Sequence, residues 1–314
     1  MRQGINLSRQ TMSNWLIKAT FDWLYPIYDA LKELLCMQKV LHADETTLQV
    51  LHEPDKPPES KSYMWLYRTG GDTNSPIVLY EYQPDRKAEH PKLFLKNFCG
   101  WLHADGYEGY HDLSGDIKVV GCFAHARRKF DEAVKGLSPK EQADSMAMVG
   151  KQFCDKLFSL ERNFAELTAQ ERFQKRQELS RPVLDEFYRW IYGVNPPPKT
   201  GLSTAVVYVR NQREYLERYL EDGLLEISNN RAERSIKPFV IGRKNWLFAN
   251  TPRGAMASAI LYSIIETAKE NGLNPYEYLT YIFTNAPNWD IRSNYDNLDR
   301  MMPWNSPGHP KTQK

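Results

Sequence analysis

The chain has 314 residues, 41% of them hydrophobic, and its 41 Lys plus Arg nearly balance 39 Asp plus Glu for a net charge of +2. That length supports one large core or two unequal ones and excludes a single small domain, and the near-neutral balance means that any surface for an anionic partner must come from local clustering. Cys36, Cys99, Cys122 and Cys154 form no C-x-x-C pair and no apolar run is long enough to span a bilayer, so a zinc knuckle, a dense disulfide framework and a membrane anchor are not indicated and a reducing, cytoplasmic setting is expected.

Residues 1–38 read as helices. Ser8 is placed to cap a short helix carrying Met12, Trp15 and Leu16 on one face, and a longer helix follows to about Met37. LSRQTMSNW looks like the second half of a helix-turn-helix without its first helix, a fragment that does not dock as an independent DNA reader; the alternative is a plain packing helix, and Arg9, Gln10 and Asn14 are assigned no bases. From Val40 the period changes. VLHADETTLQVLHE, SYMWLYRTGG and SPIVLYEYQP are short runs rich in Val, Tyr, Leu and Thr, separated by PDKPPES and GGDTNS, the pattern of antiparallel strands joined by turns. EHPKLFLKNFCG predicts a helix turning Leu93, Phe94 and Phe98 toward a sheet. WLHADGYEGY follows as a strand with its exit loop, and IKVVGCFAHARRKFDEAVKG as a short apolar strand running into a basic helix. Residues 39–125 are therefore expected to begin a mixed sheet of α/β type. Residues 126–222 carry helical spacing and predict an all-helical insertion. Residues 223–286 return to mixed character, with a long helix in GAMASAILYSIIETAKENG and another opening at Pro275, and the tail 287–314 is expected to be irregular.

The tetrapeptide LHAD occurs twice, holding Asp44 within a strand-like run and Asp105 at a strand exit. Chemistry in α/β sheets collects beyond strand ends. Two carboxylates delivered to one place would repel unless a hard divalent cation such as Mg²⁺ lay between them. Alternatively, each Asp caps its own turn. His42 and His103, two residues before the aspartates, share their strand faces and are read as structural. A third carboxylate should come from a helix in basic surroundings, and Glu233 fits. It is the lone acid among Arg231, Arg234, Lys237, Arg243, Lys244 and Arg253, which suits a metal ligand held among DNA-backbone contacts. Its competing explanation is a capping box with Asn230.

LHADETTLQVL, WLHADGYEGY, VGCFAHARRKFDEA and NNRAERSIKPFVIGRKNWLFANTPRGAMASAILYSIIETAKENGLNPYEYL stand in fixed order and span about residues 4–286. In these segments the chain resembles the transposases of the insertion-sequence-66 family, in their catalytic and C-terminal parts. The resemblance implies a ribonuclease-H-like fold and an acidic triad of Asp44, Asp105 and Glu233 binding Mg²⁺, with two ions expected and Mn²⁺ substituting. It also implies a helical insertion before the glutamate. The implied activity is metal-dependent cleavage of DNA 3′ ends and strand transfer during transposition of a bacterial insertion sequence. The implied partners are double-stranded DNA, both element ends and target, a second copy of the chain in a homodimer or larger assembly, and accessory proteins of the same element. The implied location is the cytoplasm, at the nucleoid. Full-length members carry an additional N-terminal coiled coil, a cysteine-rich zinc-binding part and a complete helix-turn-helix. With only the end of the last element here, weak duplex binding of little sequence preference is expected. A structure-selective nuclease with the same acidic site and a binding-only transposase remnant are the alternatives.

In CFAHARRKF, Cys122 and His125 are spaced like ligands, and a similar pair follows the second aspartate in related transposase groups. Without two further ligands nearby they read as supporting groups, a buried Cys with His125 bonding into the core or toward DNA. Arg127, Arg128 and Lys129 are expected to face phosphates. In GRKNWLF, Arg243 and Lys244 are candidate backbone contacts, and Trp246 either stacks on an unpaired base or, the favoured reading, anchors the core.

Overall fold

Local propensity sets out a long series of elements in the computed structural model, which describes residues 6–113 and 115–310. The outermost residues of the N-terminal segment and of the tail lie outside the described residues. Helices α1 (Arg9–Ala19) and α2 (Tyr25–Cys36) precede strands β1 (Val40–Gln49), β2 (Lys61–Thr69) and β3 (Val78–Gln83), followed by α3 (Glu89–Phe94), β4 (Gly100–His103) and β5 (Ile117–Val120). A helical run comes next: α4 (Phe123–Lys135), α5 (Pro139–Gln142), α6 (Met146–Asn163), α7 (Ala169–Lys175), α8 (Arg181–Gly193), α9 (Gly201–Asn211) and α10 (Arg213–Glu217). Helices α11 (Asn230–Trp246), α12 (Pro252–Glu270), α13 (Pro275–Asn285) and α14 (Tyr295–Asp299) complete the chain. Strands that are antiparallel in β1–β3 and parallel in β4 and β5, interrupted by a large helical region, form the predicted α/β architecture of the ribonuclease-H-like fold. The elements group into two units, one comprising residues up to Cys99 and from Ala232 onward, the other Gly100–Arg231. No helix among the described residues is long and apolar enough to cross a membrane.

In the first unit the strand order is β3-β2-β1, with Asp44 opposite Leu66, Glu45 opposite Trp65, and Trp65 opposite Glu81. Side chains alternate along a strand, so even-numbered residues of all three strands share one face and odd-numbered residues the other. On the even face Leu48, Met64, Leu66, Val78 and Tyr80 pack against Ala232, Ile236 and Phe239 of α11 and Ala255 and Ala259 of α12. On the odd face Tyr67 stacks on Phe94 of α3 with ring centroids 3.8 Å apart, and Trp65 meets His90 edge-on at 6.3 Å. Phe94 and Phe98 are buried as expected, but Leu93 is 65% exposed. The helix stops at Phe94, short of the predicted extent, and Leu93 falls on its outer side.

β3 is an edge strand, and α12 closes that edge with side chains. Thr267 Oγ1 accepts from Val78 N–H at 3.0 Å and donates to Val78 O at 2.9 Å, Ser263 Oγ accepts from Tyr80 N–H at 2.8 Å, and Asn271 Nδ2 donates to Pro76 O at 2.7 Å. These three residues recur every fourth position, so one helical stripe stands in for a missing strand.

Ser8 caps α1 as predicted, accepting from Thr11 N–H at 3.0 Å. Between α1 and α2 lies a π-helical turn, Thr20–Leu24, just before Pro26. Proline has no N–H for the carbonyl four residues back and its ring crowds that carbonyl, here Asp22 O; widening the turn relieves the crowding. Arg292 supplies the missing donor, reaching Phe21 O at 3.0 Å and Asp22 O at 3.1 Å. The described part of the tail, residues 287–310, is consequently more ordered than its composition suggests. Asn294 caps α14, and Met301, Met302 and His309 are buried.

In the second unit the parallel pair runs from Gly100 opposite Ile117 to His103 opposite Val120. A side chain at Gly150 of α6 would collide with the Phe130 ring of α4, so glycine permits that close approach. Arg176 is 1% exposed and fully engaged. Its guanidinium holds Glu161 through two bonds of 2.9 and 2.6 Å and the carbonyls of Tyr219, Asp222 and Leu225 at 2.7–2.8 Å. A buried charge paired this completely ties the chain after α10 to α6 and the π turn preceding α8.

One half-buried acid is compensated only in part. Glu81, on the odd face, has its Oε2 without a hydrogen-bond partner among the described residues. Burial pushes its carboxyl up to about 7, opposed by Lys32 and a hydrogen bond with Gln83. The folded state therefore keeps a proton that the unfolded chain has lost, so stability present below the unfolded pKa declines as pH rises through 7, by about 3 kcal/mol in the limit. Urea unfolding between pH 5 and pH 8 should show Glu81→Gln gaining on the parent as pH rises; parallel stability curves would refute this.

Candidate functional site

Asp44 lies mid-strand in β1, half-buried on the even face, its Oδ1 accepting from Glu45 N–H at 2.9 Å. Its cross-strand neighbour Leu66 belongs to the cluster that contains Ala232 and Ile236, the residues that flank Glu233 on α11. Asp44 and the first turn of α11 thus share one layer. The adjacent acid, Glu45, points to the opposite face, where Arg86 holds it, Nε to Oε1 at 2.8 Å.

Glu233 sits in the first turn of α11, which begins at Asn230. Pro238 interrupts the helix interior and deprives the Arg234 carbonyl of its intrahelical donor. The sheet braces the helix at the neighbouring residue. Arg68, 3% exposed in β2, donates to Ser235 Oγ and grips Glu270 of α12 with two bonds of 3.3 and 2.8 Å, while Tyr80 Oη donates to the Ser235 carbonyl. At the other end of the helix Arg243 donates to Thr46 Oγ1 at 3.2 Å and Thr47 Oγ1 at 3.0 Å in β1. Sequence reasoning missed the Arg68 clamp. Its only signal was a cation at an even position of β2, in line with the core residues Met64 and Leu66.

In the second unit Asp105 follows β4 by two residues and accepts from Tyr107 N–H at 2.9 Å through Oδ1. The turn-capping alternative is thus realised, on one oxygen. Gly106 lies against Tyr208 of α9, where a Cβ would come within 3.1 Å of the ring. Burial raises the Tyr208 hydroxyl well above its usual value, Cys122 and Asp105 add to the effect, and Arg128 opposes it. These groups therefore share one electrostatic neighbourhood. Cys122 occupies the N-cap of α4, with Sγ accepting from Asn229 N–H at 3.2 Å; a ligand atom of His125, in the first turn, lies within 4.8 Å of that sulfur. His103 is buried and its Nε2 accepts from Glu226 N–H at 3.2 Å.

The predicted DNA-facing cations divide by environment. Arg127 is paired with Asp155, which Lys151 also holds at 3.0 Å; Arg231 is paired with Glu226 at 2.6 Å; and Lys129 lies over the Tyr208 ring at 4.9 Å. Arg128 is exposed, and Arg234, Lys237 and Lys244 form an exposed stripe along α11 at helical spacing. Trp246 takes the core position, half-buried and edge-on to Phe239 at 5.3 Å, while the next two residues, Leu247 and Phe248, are exposed.

The family model described as "Transposase IS66 family" matches residues 1–257, and that of the "IS66 C-terminal element" matches residues 263–304. Among curated proteins, the uncharacterized protein y4qI of Sinorhizobium fredii is 32% identical over 322 residues, covering 97% of this chain and 58% of that protein. Two further proteins of the same organism, y4hP and y4jD, are each 29% identical, covering 96% of this chain and 57% and 60% of their own lengths. The chain spans less than two thirds of the length of these relatives.

The clamp on α11 is testable without reference to activity. Arg68→Met should cost about 2 kcal/mol by stranding the buried Ser235 hydroxyl and releasing the exposed Glu270 to solvent, and Ser235→Ala about 1 kcal/mol. The double variant should cost less than the sum by about 1 kcal/mol in urea unfolding. Strictly additive losses would show that the two side chains do not act as a pair.

Proposed function

The chain belongs to the IS66 family of transposases, and on that footing we propose that it cuts and joins DNA, freeing the 3′ ends of an insertion sequence and transferring them to target DNA. The observation that carries the proposal is the layer shared by Asp44 and the Glu233 turn: one carboxylate comes from a central position of a packed strand, the other from a helix clamped onto the same sheet face. Asp105 is the third member of the proposed triad, on the strength of its repeated motif and its position just past a strand end. Half-buried carboxylates offering only oxygen suit Mg²⁺, with Mn²⁺ able to substitute and two ions expected. When bound, such ions activate the attacking hydroxyl and offset the charge that develops on the phosphodiester.

In the proposed reaction water first attacks the phosphorus, the bond to the 3′ oxygen breaks, and the 3′-hydroxyl departs with a proton. That hydroxyl then attacks a target phosphodiester, losing its proton and displacing a target 3′ oxygen, with no covalent enzyme intermediate. Asp44, Asp105 and Glu233 position the reacting groups. Cys122 and His125 support the start of α4. Of the cations proposed for DNA, the exposed Arg128, Arg234, Lys237 and Lys244 take phosphates directly. Arg127, Lys129, Arg231 and Arg243 hold their elements through Asp155, Tyr208, Glu226 and the threonines of β1, and Trp246 holds the end of α11.

Asp44→Asn, Asp105→Asn and Glu233→Gln should each reduce Mg²⁺- or Mn²⁺-dependent cleavage to background while salt-sensitive DNA binding persists. Parent-like cleavage by any one of them removes that residue from the triad. Supplying pre-cleaved ends with a plasmid target separates transposase from nuclease, because a nuclease releases ends and never joins them. Binding without either reaction would identify a binding-only chain. Because two element ends must be held together, light scattering on end-containing DNA should show a dimer or larger assembly; a monomeric complex that still joins DNA would contradict this.

A further inference from the structure

Two residues after Trp246 turns inward, Phe248 stands 42% exposed at the mouth of a groove of about 730 Å³. Leu247 adopts φ +65°, a left-handed conformation that costs a leucine energy and reverses the direction in which the following side chain points. The turn behind Phe248 is anchored: Ala249 N–H bonds Gln49 O at 2.9 Å, and Leu51 and His52 N–H bond the carbonyls of Ala249 and Asn250 at 3.0 and 3.1 Å. An aromatic ring is thus held outward on a fixed backbone, against the hydrophobic preference of its side chain.

The opposite wall of the groove is α1, which contributes Arg9, Gln10 and Asn14. Gln10 Nε2 and Asn14 Oδ1 meet at only 3.4 Å, a weak mutual contact that leaves both amides able to engage a ligand. An amide presents a donor beside an acceptor, the arrangement that matches the edge of a nucleobase. None of the described residues lining the groove is acidic, and Arg9 brings positive charge. The volume lies in the range of roughly 300–1,000 Å³ that receives one small-molecule-sized ligand; a duplex does not enter it.

We propose that this groove receives one unpaired nucleotide of a DNA end, its base against Phe248 and its edge toward Gln10 and Asn14. The inference rests on the reading of the chain as one that acts on DNA. Stacking of a base on an aromatic side chain is tolerant of sequence, so the groove favours an opened end over a closed duplex.

The test uses the full chain and one labelled duplex in two forms, blunt or with three unpaired nucleotides at one end, the first of them 2-aminopurine. The parent should bind the unpaired form at least about fivefold more tightly than the blunt form, the effect of one stacked base, with quenching of the 2-aminopurine. Phe248→Ala should bring that ratio to one and abolish the quenching, Phe248→Trp should keep both, and Tyr276→Ala, which removes an exposed ring of α13, should leave both as in the parent. Gln10→Ala and Asn14→Ala should lessen discrimination among the four bases at the unpaired position. Equal binding of the two forms by the parent, or a preference that survives Phe248→Ala, overturns the proposal while salt-dependent duplex binding leaves the DNA reading standing. Absence of salt-dependent binding to either form overturns both together. A drop in DNA-free molar mass on Phe248→Ala would make the groove a self-association surface and also overturn it.

Discussion

Register between β1 and β2 decides which side of the sheet each acid of the Asp44–Glu45 pair occupies. A slip of one residue would exchange the faces, sending Glu45 into the α11 layer and Asp44 toward Arg86. The slip is resisted on both faces at once. Leu48, Met64 and Leu66 are buried against α11 and α12, and Tyr67 is fitted flat on Phe94. Arg68 adds a polar condition, because its even position brings a cation to Ser235 and Glu270. Displaced by one residue, it would leave both partners behind.

The same economy appears in α12. Its Ser263, Thr267 and Asn271 satisfy the outer edge of β3, and Glu270, adjacent in sequence to that stripe, holds Arg68. Edge closure and the bracing of α11 are consequently properties of one helix. Helix α11 depends on this bracing more than an ordinary helix does, because Pro238 weakens its own ladder within two turns of Glu233.

What the sequence disclosed was whatever had a local cause. Alternation in VLHADETTLQVL announced β1, Ser8 announced the start of α1, and the break in apolar spacing after Val120 announced α4. The lone acid in a basic run drew attention to Glu233, and the repeated tetrapeptide to the two aspartates. Features with distant causes stayed hidden. The order of the tail depends on Arg292 reaching carbonyls of Phe21 and Asp22 at the far end of the chain. The inward turn of Trp246 and outward turn of Phe248 depend on one left-handed residue between them, which apolar spacing does not encode. Leu93 was misplaced because it stands next to Phe94, about 100° around the helix, so the face that buries Phe94 turns Leu93 outward.

The π turn at Thr20–Leu24 is equivalent to an α-helix carrying one extra residue. Each residue of an α-helix advances the screw by about 100°. Closing the turn to a regular helix with every residue kept would rotate everything before it through about that angle, which would carry Gln10 and Asn14 off the groove and bring another side of α1 into their place. The insertion therefore works as an angular setting, and the side chains that α1 offers to the groove are chosen at a point several residues away from any of them.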